Sequence, residues 1–598
     1  MAHVLPTNQT ADAAVSLNRL DTVQRVSRIL LRRRMFVIAL NVLTVGALAG
    51  VMIYALGYGG WTVPRVGMAL AFAVTLPWLS IGFWNALIGV ILNARGPSPN
   101  DPLAIPHNAE APITTRTAIV MAVRNEDAER TFLRLKGMFD DLEANGVADH
   151  FDVHVLSDTN DPAIAAREEA AVQEWRSRSS RPDQIFYRRR SDNQGYKAGN
   201  LQEFCRRCVQ DYQFFLPLDA DSFLSAQTIL QLVRKMEQNP RLGILQTLVV
   251  GTPSTAFFTR VFQFGMRHGM RAYTAGSAWW TGDCGPYWGH NALIRMRPFA
   301  QSCELPVLPG GGPLGGHVMS HDQMEAVMMR RAGYHVRVIA EEGESWEENP
   351  PSLPDFIRRE LRWCQGNMQY FRLLGTPGLK AMSRVQLALV IMMYLGPPAW
   401  MAFIALGAAT LFDGVTVGVS PVVGFSMFAA IIFMSLAPKI MGVVGILLSN
   451  RESARYGGRL RVFAGAILET VVSMLMAPVV AFAIAIFVVG LIFGKTIDWR
   501  AQPRGDRTVG WGEAARSFWP QTLGGVGLFA LLAFTAPAIL PWASPVIAGL
   551  ALSIPFAVVT TSPALGRLSV RTRLCDIPED PARPPALRRL DPLAFAPA

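Results

Sequence analysis

Two apolar stretches, Phe36–Leu56 and Met68–Leu92, stand far along the chain from four others: Gln386–Phe412, Val422–Leu448, Val462–Phe493 and Leu523–Val559. Each reaches or exceeds the roughly 20 residues that a helix needs to cross hydrocarbon. The chain therefore reads as a polytopic membrane protein with a large polar insert between its second and third spans. Composition agrees, since 51% hydrophobic and only 17% charged residues are too apolar for a purely soluble protein.

A formal net charge of +11 raises nucleic acid as a partner, but its distribution points elsewhere. Arg25, Arg28, Arg32, Arg33 and Arg34 precede the first span. Arg451, Arg455, Arg459 and Arg461 follow the fourth, and the tail adds Arg567, Arg571, Arg573, Arg583, Arg588 and Arg589. This positive-inside pattern places the N-terminus, the 451–461 loop and the tail in the cytoplasm, with the short connections 57–67 and 413–421 outside. The first 35 residues are polar and basic, unlike a cleavable signal peptide. Cys205 and Cys208 form a lone C-x-x-C pair, which reads as reduced, structural thiols rather than a zinc site.

Parity constrains the rest. The tail is cytoplasmic, so 462–493 and 523–559 together cross an even number of times. Pro541 and Pro545 break the latter into a hairpin. The former then either bends at Pro478 and crosses twice or lies partly in the interface. Glu469 favours the interface, giving six full spans plus an interfacial segment, against eight spans. The organisation is a leader (1–35), a membrane hairpin (36–93), a cytoplasmic domain (94–380), membrane and interfacial helices (381–562) and a tail (563–598).

Within the insert, Ala118–Val123, Phe151–Leu156, Phe214–Leu218, Leu242–Val250 and Tyr334–Ile339 read as strands alternating with helical patterns. This predicts an α/β domain with a mostly parallel sheet covered by helices on both sides. Candidate chemistry clusters at strand ends. The first strand runs into Asn125-Glu126, able to line a nucleotide pocket, and the second ends at Asp158, able to accept hydrogen bonds from a uracil or ribose. A helix N-cap is the alternative for both. Asp219 and Asp221 leave the apolar strand 214–218 two residues apart, suited to share a hard divalent cation with a diphosphate. Lys197, in Gly195-Tyr-Lys-Ala-Gly199, suits a phosphate contact or simply solvent. Asp322 follows a glycine-rich loop and is a candidate general base, or an N-cap. Arg359 and Arg362 share a helix face for gripping phosphate, and Trp363 offers a flat surface to a sugar ring. A solvated basic face is the bland alternative.

These motifs, in this order, resemble the family 2 inverting glycosyltransferases that couple polymer synthesis to export, such as cellulose and hyaluronan synthases. Leu314-Gly-Gly-His-Val-Met-Ser-His-Asp-Gln323, Glu347-Glu-Asn-Pro-Pro351 and Phe356-Ile-Arg-Arg-Glu-Leu-Arg-Trp-Cys-Gln-Gly-Asn-Met-Gln-Tyr370 are most similar to the osmoregulated periplasmic glucan glucosyltransferases, the H component. The resemblance implies a GT-A-like domain in which Asp158 reads uridine, Asp219 and Asp221 hold the diphosphate and Mg²⁺ or Mn²⁺, and Asp322 is the base. Arg362-Trp363 corresponds to the end of the Gln-x-x-Arg-Trp motif, with Arg359 where Gln is usual. Tyr287-Trp288-Gly-His290-Asn replaces the stretch that contacts the growing end, and His321 replaces a Glu. It further implies UDP-glucose as donor, a β-1,2-linked glucan as product, export to the periplasm, and location in a bacterial inner membrane. An acyl carrier protein and a periplasmic glucan-processing protein are partners implied by the family alone. Asp498–Arg507 resembles in position a gating loop, the alternative being a plain basic loop.

Rival readings are a transferase that loads one sugar onto a lipid, and a transporter with a nucleotide-binding insert. Trp363 and the long C-terminal membrane block oppose the first. The scarcity of charges within the spans opposes the second.

Overall fold

The computed structural model describes residues 9–96, 101, 103–414, 421–497 and 505–590, with side chains from Gln24 onward except at 421. Eight strands, β1 (Thr117–Val123), β2 (Phe151–Ser157), β3 (Ile185–Arg189), β4 (Phe214–Leu218), β5 (Phe223–Leu224), β6 (Leu242–Gly251), β7 (Ala292–Arg295) and β8 (His335–Glu347), form one sheet. Their order is β3-β2-β1-β4-β7-β6-β8-β5. The β3-β2-β1-β4 half is wholly parallel. On the other side β7 runs antiparallel between β4 and β6, while β6 and β8 are parallel. The sheet is thus mixed. The sequence missed β5 and β7, of two and four residues, because they are too short to show a period, and β3, Ile-Phe-Tyr-Arg-Arg, because it ends in two arginines and is buried only at its start. β4 is buried along its whole length, which is why it reads as a continuous apolar run. Separate cores pack on the two faces, one around Phe139, Trp175 and Phe214, the other around Phe204, Phe215 and Tyr287.

Among the described residues, six helices are long and apolar enough to cross a membrane: Gln24–Gly57, Val63–Arg95, Ala381–Phe412, Val422–Leu448, Arg459–Ile492 and Trp511–Thr535. The first continues back through the polar leader to Gln9, further than its sequence suggested. Arg459–Ile492 is one unbroken helix that does not turn back at Pro478, so the eight-span reading fails. Glu469, the cue for an interfacial segment, is paired with Lys439 of the neighbouring helix and accepts from Ser473, which answers its charge inside the bundle. The expected hairpin after Leu523 is instead the end of a single helix, Trp511–Thr535, followed by a bent pair, Pro537–Ala551 and Ser553–Thr560, meeting at 62°.

The Phe257–Thr281 helix joins the sheet to the spans. It crosses the second span backbone to backbone: a Cβ at Gly276 would lie 1.9 Å from the Asn85 carbonyl oxygen, so only glycine fits there. Trp280 Nε1 donates to Asn85 Oδ1 at 2.9 Å beside this crossing. The tail closes the assembly. Asp576 takes Arg260 at 2.6 Å and Glu579 takes Arg267 at 2.8 Å, all four side chains being buried. Leu587 and Leu590 enter the core on one face of the sheet.

Candidate active site

The site forms at the carboxyl ends of β1, β2 and β4. Asp127 and Asp161 cap the helices after β1 and β2, so Asn125 and Asp158 do not serve as N-caps. Asn125 adopts a left-handed backbone, φ 52°, and clasps the two loops together. Its N–H donates to Thr159 Oγ1 at 2.9 Å, and its Oδ1 accepts from the N–H groups of Asn160 and Asp161 at 3.2 Å each. Glu126 follows in the same loop, half-buried. Asp158 is buried and gripped through both oxygens by Arg190, at 2.7 and 2.9 Å. Sequence reasoning missed Arg190; its signal was the Arg188-Arg189-Arg190 run entering a turn.

Asp219 and Asp221 leave β4 in a turn whose Ala220 carbonyl accepts from buried Arg134 at 3.2 Å. Lys197, in the first turn of the Tyr196–Arg207 helix, pairs with the Asp219 carboxylate and donates to the Gly289 carbonyl at 2.9 Å. That bridge draws the Tyr287–Asn291 loop over the turn. Within the loop, Tyr287, which the family resemblance assigns to the acceptor, is fully enclosed and packs in the core. The Trp288 N–H donates to Gln246 Oε1 at 2.9 Å. His290 is buried with Nε2 3.2 Å from Glu347 Oε2. Burial works against its charge, but the carboxylates of Asp219 and Glu347 outweigh this and lift it to about 9.

Asp322 lies in the first turn of the His321–Arg331 helix, two residues past the cap position Ser320. Burial pushes its carboxyl above the ordinary range, opposed by the neighbouring His321. His321 Nδ1 is 2.8 Å from Glu325 Oε2; burial lowers its pKa, yet Glu325 makes the net shift upward. Gly289, with φ 85°, faces this helix: a Cβ there would sit 3.5 Å from the Asp322 Cβ. Asp219, Lys197, the His290 loop and Asp322 are therefore brought together.

The Leu353–Met368 helix supplies the remaining wall. At Gly366 an added Cβ would lie 2.3 Å from Ser320 Oγ, so this helix abuts the turn that starts the Asp322 helix. Tyr370 OH donates to the Ser320 carbonyl at 2.7 Å, and Gln369 Oε1 accepts from Met319 N–H at 2.8 Å. Arg362 is buried, Trp363 is 43% exposed, and Arg359 lies against Trp363. Arg359 also acts on Glu347: burial raises that carboxyl, but His290 first and Arg359 after it bring it below its usual value. Both ends of the expected gating loop are moored to this helix. Ile497 N–H donates to Gln365 Oε1 at 2.9 Å, and Arg507 grips Asp355 at 2.7 Å. Residues 498–504 of that loop lie outside the described residues.

Among the described residues no cluster of three or more His, Cys, Asp or Glu side chains could hold a metal. Asp219, partly exposed, and Asp221, buried, offer two carboxylate ligands with hard oxygen donors. That set fits Mg²⁺ or Mn²⁺ sharing its remaining positions between phosphate and water, not a closed protein cage.

Residues 118–302 match the family described as Glycosyl transferase family 2, and 214–495 that described as Glycosyl transferase family group 2. Glucans biosynthesis glucosyltransferase H of Pseudomonas putida is 36% identical over 552 residues, covering 88% of this chain and 63% of the relative. The chain thus spans under two thirds of the length of that relative. The protein of the same name from Xanthomonas campestris pv. campestris is 35% identical over 597 residues, covering 96% of this chain and 92% of the relative. Among solved structures, the mannosyltransferase PcManGT from Pyrobaculum calidifontis, in complex with GDP-Man and Mn²⁺, covers 63% of this chain and 98% of its own. Its TM-score is 0.39 at 15% identity, too distant to inform the site. The near full-length match to the Xanthomonas protein decides the kinship: the chain belongs to the glucans biosynthesis glucosyltransferase H family of family 2 glycosyltransferases.

Proposed function

We propose that the chain is an inverting glucosyltransferase that extends a β-glucan from UDP-glucose at the cytoplasmic face of a bacterial inner membrane and passes the product outward. One observation carries this reading. A cationic and carboxylate group suited to a sugar diphosphate (Lys197, Asp219) and a carboxyl suited to a general base (Asp322) meet across Gly289. Asp158 and Arg190 would orient the nucleoside. Asp322 would take the proton from the acceptor hydroxyl as its oxygen bonds to the anomeric carbon and the bond from that carbon to the diphosphate breaks on the opposite face. Lys197 and Arg362 would hold the departing diphosphate. A Mg²⁺ or Mn²⁺ held by Asp219 and Asp221 would neutralise its charge. Trp363 would carry the sugar ring of the acceptor, and the β-1,2 linkage follows the family resemblance alone.

The tail supports a definite membrane path. With the sheet in the cytoplasm, residues 586–590 packed into its core would be there too, and the chain would recross an even number of times after residue 380. Helices 381–412, 422–448, 459–492 and 511–535 would provide four crossings, and the bent pair 537–560 would then enter and return on one side. Lys439 and Glu469 neutralise each other, which disfavours a charged transport path and the transporter reading.

Purified protein given UDP-glucose and Mg²⁺ should form a glucan of many units, resolved by sizing of labelled product. A single sugar on lipid would favour the rival transferase. Asp219→Ala and Asp221→Ala should each weaken metal-dependent UDP binding; equal affinity of wild type with and without Mg²⁺ would remove the metal. In sealed proteoliposomes with the catalytic domain outside, new glucan should collect in the lumen, protected from added glucanase. Product wholly outside would end the export claim.

A further inference from the structure

We infer that His290 and Glu347 are positioning residues for the donor side: Glu347 orients the His290 ring, and His290 steadies the Asp219-Ala220-Asp221 turn through Ser222. The inference rests on the reading of that turn as the diphosphate site, and it moves His290 away from the acceptor, where the family resemblance had put it.

Both ring nitrogens are engaged inside the protein. Nε2 lies 3.2 Å from Glu347 Oε2 and Nδ1 lies 3.4 Å from Ser222 Oγ. Ser222 Oγ in turn accepts the Asp219 N–H at 3.0 Å. A ring only 8% exposed, with both nitrogens so occupied, has little left to offer a sugar. The two carriers of the pair are themselves tied together. Asn291, at φ 51°, donates through Nδ2 to Ser345 Oγ at 3.0 Å and to the Trp346 carbonyl at 3.2 Å, next to Glu347 at the end of β8. Lys197 holds the turn from the other side, bridging Asp219 and the Gly289 carbonyl. The turn is therefore clamped between Lys197 and the relay from Glu347 through His290 to Ser222. Releasing one side would let the carboxylates drift, and a displacement near 1 Å at a reacting centre can cost on the order of 10²-fold.

The test compares Ser222→Ala, His290→Asn, Glu347→Ala and Glu347→Gln with wild type. It reads UDP binding by calorimetry with Mg²⁺, kcat and KM for UDP-glucose, and product length. His290→Asn and Glu347→Ala should weaken UDP binding and raise the KM about tenfold, with Ser222→Ala less affected and product length unchanged. Glu347→Gln keeps an oxygen able to accept from Nε2–H and should recover much of the loss, which a merely charge-based role would not allow. Variants that bind UDP like wild type but shorten the product would overturn the inference and return His290 to the acceptor. A wild type that binds no UDP would overturn the donor reading, and this role with it.

Discussion

The guanidinium of Arg359 lies 4.6 Å from the centre of the Trp363 ring and 5.5 Å from that of Phe356. The cation covers one face of the indole, while 43% of Trp363 stays exposed. Arg359 stands where the family resemblance leads one to expect Gln, and in this position it backs the platform on which a sugar would lie. A cation over indole contributes about 0.5–2 kcal/mol depending on exposure.

Trp363→Ala should therefore impair elongation more than UDP-glucose binding. Arg359→Gln should shift product length in the same direction but less. Gel sizing of labelled glucan alongside the KM for UDP-glucose checks both. An unchanged length distribution in Trp363→Ala would dismiss the platform.

Asp322→Asn removes the proposed base while nearly preserving shape. Turnover should fall by roughly 10²–10⁴-fold, with UDP affinity close to wild type. A variant keeping more than about a tenth of the rate would take Asp322 out of this role.

The pH profile follows from the same residue. A general base works deprotonated, so activity is lost as pH falls through its pKa. Burial raises that pKa, so the acid limb should lie above the ordinary aspartate range. His321 opposes the shift by favouring the carboxylate, so His321→Gln should move the acid limb to higher pH. Initial rates across pH measure it; a limb that stays put or moves down contradicts the assignment.

The tail predicts stability. Glu579 takes Arg267 through both oxygens, at 2.8 and 2.9 Å, with both side chains buried. Glu579→Ala leaves Arg267 with only Glu342, at 3.2 Å. Losing one partner of a buried pair costs on the order of 3–5 kcal/mol. Unfolding of the detergent-solubilised protein should show a clear loss; a shift below about 1 kcal/mol would mean the strap is not structural.

Much of this molecule was written locally. The apolar spans, the strands β1, β2, β4 and β6, and the candidate residues at their ends follow from chain-neighbour patterns, because crossing hydrocarbon or filling a sheet interior requires runs of apolar side chains. Those runs placed Asp158, Asp219 and Asp221 at strand ends, and the motif after the glycine-rich loop placed Asp322 at a helix start. Partners were a different matter. That Arg190 grips Asp158, that Lys197 reaches both Asp219 and Gly289, and that His290 meets Glu347 depends on the order of strands and on a four-residue β7 inserted antiparallel between β4 and β6. Nor could the chain's local pattern show that Glu469 would find Lys439, or that the tail would pack into the sheet core. Local hydrophobic pattern determines which segments are buried. Only tertiary packing decides which charge faces which, since those contacts join residues that are distant in sequence.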